Sequence, residues 1–220
     1  VGACVQKTSE AEALVAGGVT DIYISNEVIS LSKLERVAHM ARALEAKNGQ
    51  ISIAVDSVEG IRRLAAALDK VHASMRVFVE IDVGQNRCGV QPGAPALALA
   101  QEVLRHPQLH FAGLQAYHGK AQHLRSAAAR AEAIQHVVQA VRSTRALIEA
   151  AGIPVPLVTG AGTGTFIHEA ASGVYGELQP GSFLFMDADY AANERDPAAP
   201  VFEHALFVKT EVISVCATHA

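Results

Sequence analysis

The sequence has little charge and gathers it nowhere. Asp, Glu, Lys and Arg make up 18% of its 220 residues, with 18 basic against 22 acidic side chains and a formal net charge of −4. No run of like charge occurs, and the basic excess that nucleic-acid binding draws on is missing. Cysteine is scarce as well. Cys4, Cys88 and Cys216 are odd in number, far apart and without metal-ligand spacing, which argues against a disulfide framework or a zinc cluster and for a reducing cytoplasm. Long apolar runs are absent too: the most hydrophobic stretches are broken by Gly, Pro or charge before the roughly 18 residues a membrane helix needs. A soluble protein without membrane contact is expected. The opening Val1-Gly2-Ala3-Cys4-Val5 has neither an initiator Met nor a basic segment leading into an apolar one, so no signal peptide is expected.

Half of the residues are hydrophobic, and the length suffices for one substantial core or two small ones. Short β-rich runs alternate with helical segments, the pattern of βα units on a parallel sheet. Strands are predicted over 2–6, 21–25, 51–56, 76–82, 111–117 and 156–160, with a seventh inside 176–185. Helix starts are read at Ser9 with Glu12 and at Ser32 with Glu35, both at capping-box spacing. The longest helix is predicted over 125–150, stopped by Gly152 and Pro154. Ile51, Ile53 and Val55 alternate with Ser52, Ala54 and Asp56, and Val77, Val79 and Ile81 with Phe78, Glu80 and Asp82. One face is apolar and the other polar or small, which suits a barrel with a private interior better than an open sheet buried on both faces. Seven strands are one short of a (β/α)8 barrel. The tail 205–215 reads as one or two strands without partners, so a piece of a longer protein is expected.

In a parallel barrel the strand ends converge on one mouth, where the chemistry sits. Thr159-Gly160-Ala161-Gly162-Thr163-Gly164-Thr165 offers backbone N–H groups and hydroxyls to an anion, most often phosphate, although a plain tight turn would look the same. No Lys follows as in a P-loop, and the dinucleotide fingerprint is incomplete. Gln179-Pro180-Gly181-Ser182, one strand later, would supply the second side of a phosphate cradle. Arg87, in the loop after Asp82, either forks onto an oxyanion or neutralises Asp82. Gln115 and Tyr117 share a strand face, with His118 at the exit and His123 close behind; only these two of the ten histidines are candidates for proton transfer. Asp187 and Asp189 are two acids that a cation could use, but the structural reading is the stronger one.

Several segments together, in order and over nearly the whole length, resemble the D-threonine aldolase family: Val5-Gln6-Lys7-Thr8, Glu80-Ile81-Asp82-Val83-Gly84-Gln85-Asn86-Arg87-Cys88-Gly89, Leu114-Gln115-Ala116-Tyr117-His118-Gly119, Gly160-Ala161-Gly162-Thr163-Gly164 and Glu177-Leu178-Gln179-Pro180-Gly181-Ser182 with Met186-Asp187-Ala188-Asp189-Tyr190. The likeness extends to 3-hydroxy-D-aspartate aldolase and D-serine dehydratase, and it implies an α/β, TIM-like barrel of the alanine racemase type. Residues 1–200 would be the pyridoxal-phosphate-binding barrel, lacking its first strand, and residues 201–220 the start of a connection to a β domain. The resemblance implies that Gln6, Arg87, Tyr117, Gly162, Thr163, Gln179, Gly181, Ser182 and Tyr190 contact pyridoxal 5'-phosphate. Arg87 would stand beside its phenolic oxygen, and Gln179 where racemases have an arginine facing the ring nitrogen. Arg87, His118 and His123 are the catalytic candidates. The Schiff-base lysine is expected upstream of Val1, and the ligands of a divalent metal ion downstream of residue 220, so this segment alone is expected to be inactive. The implied protein is a cytoplasmic homodimer that cleaves D-threonine or a related D-3-hydroxy amino acid to glycine and an aldehyde; dehydration of such a substrate, or a non-catalytic pyridoxal-phosphate carrier, are the alternatives.

Overall fold

The computed structural model describes residues 2–218. Seven strands form one sheet in chain order, every neighbouring pair parallel: β1 (Ala3–Val5), β2 (Asp21–Ile24), β3 (Gln50–Val55), β4 (Met75–Glu80), β5 (Leu109–Ala116), β6 (Leu157–Gly160) and β7 (Glu177–Leu178). Helices α1 (Thr8–Ala16), α2 (Leu31–Glu45), α3 (Val58–Val71), α4 (Ala94–Val103), α5 (Ala127–Ala150) and α6 (Phe166–Ala171) follow the first six strands in turn, and a short α7 (Ala188–Ala191) closes the series. No helix among the described residues is long and apolar enough to cross a membrane.

The two faces of the strands bury into separate cores, as the alternation requires. Ile51, Ile53, Val55, Val77 and Val79 join the large cluster beneath the helices, while Tyr23, Ala54, Phe78 and Ala112 form a small one inside the curl of the sheet. There Tyr23 and Phe78 meet edge to face with ring centres 5.0 Å apart, a favourable aromatic geometry. A β-bulge sets which residues of β5 face inward. Val77 pairs with Phe111 but Phe78 pairs with Gly113, so one extra residue enters β5. Phe111 packs outward and Ala112 inward; after the bulge Leu114 is outward and Gln115 turns to the interior.

Helix starts differ from the sequence reading. In α1 the cap is Lys7, and Glu10 rather than Glu12 reaches back to the N–H groups of Gln6 and Lys7 at 3.0 Å each. Glu12 instead pairs with Arg36 across to α2. That helix begins after Ser30, and Glu35 pairs with Lys70 of α3 at 3.1 Å. Cross-helix ion pairs thus take the acids that the spacing assigned to capping. Ser126, at a start for which the sequence reading gives no cap, caps α5 by accepting the Ala129 N–H. The strands expected in 205–215 do not form: no strand among the described residues runs beside the segment, and Phe207 is 79% and Ile213 96% exposed.

Candidate functional site

The carboxyl ends of the strands open into a cavity of about 800 Å3, well within the range of small-molecule sites. Ala3 and Cys4 from one sheet edge and Glu177 and Leu178 from the other both line it, so the sheet curls until its edges face one space. Gln6, Arg87, Tyr117, Gly162, Thr163, Gln179, Gly181, Ser182 and Tyr190 all contribute to the lining. No lysine does so among the described residues.

One wall is lined by backbone N–H groups and hydroxyls from two loops. Thr163 Oγ1 accepts the backbone N–H of Phe183 at 3.0 Å, stitching the loop after β6 to the loop after β7. The hydroxyl proton of Thr163 is left free to donate. The backbone N–H groups of Thr163, Gly181 and Ser182 donate to no other described residue. A Cβ at Gly181 would meet nothing within 4 Å, so a ligand can approach that backbone closely. Neutral donors gathered from two loops, with no carboxylate among them, suit a phosphate group. Tyr190 stands beside Ser182; burial pushes its phenol up, partly offset by the Ser182 hydroxyl.

A relay braces this wall from behind. Gly164 N–H donates to Gln122 Oε1, Gln122 Nε2 to Thr165 Oγ1, and Thr165 Oγ1 to Glu169 Oε1, each at 2.8 Å. Glu169 is buried, and burial pushes its carboxyl up to about 7 against the opposing hydrogen bond from Thr165. An acid whose folded pKa lies above its unfolded value holds its proton more tightly in the fold. Its stabilising contribution is therefore complete below about pH 4.5 and is lost as the pH rises to about 7. Glu169→Gln keeps the acceptor for Thr165 without the charge. It is expected to melt roughly 5 °C above wild type at about pH 8 and to show little gain at about pH 5; an equal difference at both pH values would contradict this titration.

The floor is a polar network centred on Gln115. Its Oε1 accepts from the Tyr23 hydroxyl at 2.5 Å and from Gln179 Nε2 at 3.0 Å, and its Nε2 donates to the Ser25 carbonyl at 3.2 Å and to Glu80 at 3.4 Å. Gln179 Nε2 also reaches Thr159 Oγ1 at 2.6 Å, whose hydroxyl donates to Glu177. Burial, and then the neighbouring Glu27, push the Glu80 carboxyl up to about 8.

Arg87 does not pair with Asp82. Its guanidinium lies 3.8 Å from Glu80, while Asp82 Oδ1 accepts the N–H groups of Gly84 and Asn86, each at 3.0 Å, and so folds the loop that carries Arg87. An aspartate at a strand exit answers its own following backbone sooner than a side chain five positions on. His118 and His123 stand outside the cavity lining. The His118 ring lies against Gly84, and burial lowers its pKa. His123 Nδ1 is 2.5 Å from Asp189 Oδ2, with its ring 5.8 Å from that of Tyr190. Asp187 caps α7 through the Tyr190 N–H, and Asp189 pairs with Arg125, so both acids serve the fold.

One grouping has no counterpart in the sequence motifs, from which no metal ligand within the chain was expected. Glu27, Asp56 and Cys88 bring one ligand atom each to within 4.8 Å of one another, although they follow three different strands. Asp56 stands 29 positions after Glu27 and Cys88 32 positions after Asp56, and only the parallel register of β2, β3 and β4 assembles them.

The family described as alanine racemase, N-terminal domain, matches residues 1–189. A D-threonine aldolase of Arthrobacter sp is 46% identical over 214 residues, which is 97% of this chain and 55% of that protein. A 3-hydroxy-D-aspartate aldolase of Paracoccus denitrificans (strain Pd 1222) is 37% identical over 223 residues, covering 100% of this chain and 57% of its own length. Among solved structures, D-threonine aldolase from Filomicrobium marinum is similar with a TM-score of 0.89 and 43% identity, over 93% of this chain and 54% of that one. The chain spans about half the length of the curated relatives it matches. Strand order, the two-loop wall at the last strands and the extent of the match agree: the chain belongs to the alanine racemase N-terminal domain family.

Proposed function

We propose that residues 1–200 form the pyridoxal-phosphate-binding barrel of a lyase that cleaves the Cα–Cβ bond of D-threonine or a related D-3-hydroxy amino acid, releasing glycine and an aldehyde, and that residues 201–220 begin the connection to a β domain. The observation that carries this reading is the wall where Thr163, Gly181 and Ser182 present free donors from two stitched loops. Those donors, the open approach at Gly181 and the absence of any carboxylate among them fit the cofactor's phosphate. Pyridoxal phosphate, when bound, supplies an electron sink for bond cleavage at Cα.

The residues of this chain then have separate tasks. Thr163, Gly181 and Ser182 hold the phosphate. Gln179, with its amide nitrogen engaged by Gln115 and Thr159, is the neutral group of the ring's polar edge. Arg87 offers a planar fork of donors to the cofactor's phenolic oxygen. Gln6, Tyr117 and Tyr190 shape the remaining walls, and Gly162 lets the loop pass close to the ligand. His123 steadies α7, and with it Tyr190, through Asp189; His118 supports the Arg87 loop through its contact with Gly84. The covalent lysine and a divalent ion that polarises the substrate hydroxyl belong to parts of the protein outside these residues, and the same reading includes a cytoplasmic homodimer.

Product analysis of the full-length protein loaded with cofactor tests this reading. D-threonine is expected to yield glycine and acetaldehyde in equal amounts, with L-threonine untouched. Release of 2-oxobutanoate and ammonia would assign a dehydratase instead, and no turnover of any D-3-hydroxy amino acid would favour the carrier.

A further inference from the structure

We propose that Glu27, Asp56 and Cys88 bind a divalent cation of the zinc class at the rim of the barrel, on the side away from the phosphate wall, and that this ion braces the loop carrying Arg87. The inference does not depend on which reaction the protein performs.

The three side chains leave the carboxyl ends of β2 and β3 and the loop after β4, and their ligand atoms lie within 4.8 Å of one another. Both carboxylate oxygens of Glu27 are sealed from solvent and accept no hydrogen bond from a backbone N–H, an amide or a hydroxyl group among the described residues; their hydrogen-bond partners are the Glu80 carboxyl and the Cys88 thiol. Glu80 is itself only 3% exposed, and its contacts are long, 3.8 Å to Arg87 and 3.4 Å to Gln115. Among the described residues of this cluster, Glu80 is the acid that lies beside the Arg87 guanidinium. A sealed carboxylate whose partners are another acid and a thiol is costly unless those groups keep their protons, so the cluster is neutralised by protons or by a metal ion.

The ligand set favours the ion. Donors around a tetrahedral zinc stand about 3.3–3.8 Å apart, as follows from bonds of about 2.0–2.3 Å, so the three groups need to close by only about an ångström. A thiolate beside two carboxylates selects zinc-like cations over magnesium or calcium, which prefer oxygen alone. The second shell is in place, because Asp56 Oδ2 accepts the Gly89 N–H at 3.2 Å, which orients that carboxylate and ties it to the loop bearing Cys88. An ion there would join β2, β3 and the Arg87 loop.

The probe is Co2+, added to the full-length protein after removal of metal by chelation. A thiolate-to-cobalt absorption band in the near ultraviolet is expected in wild type, bleached by Zn2+ and lost in Cys88→Ser. Glu27→Gln is expected to weaken Co2+ binding at least tenfold. Should Cys88→Ser fail to fold, alkylation of the wild-type thiols supplies the answer: Zn2+ is expected to protect Cys88, with Cys4 and Cys216 as internal references. A wild type without the band, a band that survives in Cys88→Ser, or Cys88 alkylated equally fast with and without Zn2+ would overturn the site and leave protons as what neutralises the cluster.

Discussion

Gly113→Ala is expected to lower the melting temperature by roughly 10 °C, at a cost of about 3 kcal/mol or more. Gly113 has φ +137, and a Cβ there would lie 1.8 Å from the Leu157 carbonyl oxygen on the neighbouring strand. No side-chain motion relieves a clash with backbone, so β5 and β6 would have to part or β5 lose its bulge. Either outcome reaches the site. Without the inserted residue, Gln115 and Tyr117 would turn to the face that Phe111 occupies, away from the cavity they line. Thermal melts of the full-length wild type and variant check this. A melting temperature within a few degrees of wild type would mean that the bulge is not closed on Leu157 as described.

Gln115→Leu is the second substitution with a large expected effect. It keeps the volume but leaves the Tyr23 hydroxyl without its partner and takes one partner each from Gln179, which keeps Thr159, and from Glu80, which keeps Arg87. Unsatisfied buried groups cost about 1–3 kcal/mol apiece, so a loss of roughly 3 kcal/mol in stability is expected, with cofactor affinity reduced because Gln179 is then held by Thr159 alone. Replacing both partners by apolar groups of similar shape is far less damaging than orphaning one. Tyr23→Phe combined with Gln115→Leu is therefore expected to recover part of the stability but not the cofactor affinity. A double-mutant cycle in the melts measures the coupling; strict additivity would show that the 2.5 Å contact contributes nothing.

The architecture was legible in the sequence because periodicity two is a direct record of facing. Phe78 among Val77 and Val79, and Ala54 between Ile53 and Val55, announced an interior distinct from the helix side, and both stand in the inner cluster. The residues alone leave open whether the paired glycine loops are tight turns or an anion site, but their position at the mouth was legible for a related reason, since both follow strands of one parallel series. Tertiary choices were not. Spacing offered Glu12 and Glu35 as capping acids, but arginine and lysine on adjacent helices claim them. Pairing with Asp82 is one of two readings that the sequence allows for Arg87, and the acid beside it is instead Glu80, two residues before Asp82. The bulge at Gly113 had no part in the sequence reading, and which residues it turns inward depends on the register of β5 with β4. The grouping of Glu27, Asp56 and Cys88 depends on three strands in parallel register, and no local spacing encodes it.

The claim on which the account rests is that the two stitched loops hold a phosphate. It is tested by titrating full-length wild type, Thr163→Ala and Ser182→Ala with pyridoxal phosphate and, separately, with pyridoxal, following the absorbance of the bound ring. Each hydroxyl donates to a dianion, a bond worth about 1.5–3 kcal/mol, so each variant is expected to lose roughly 10- to 150-fold in affinity for the phosphorylated form. Affinity for pyridoxal should change little. Equal losses for the two ligands, or none for either, would mean that the phosphate lies elsewhere and that the wall formed by Thr163, Gly181 and Ser182 is a structural turn.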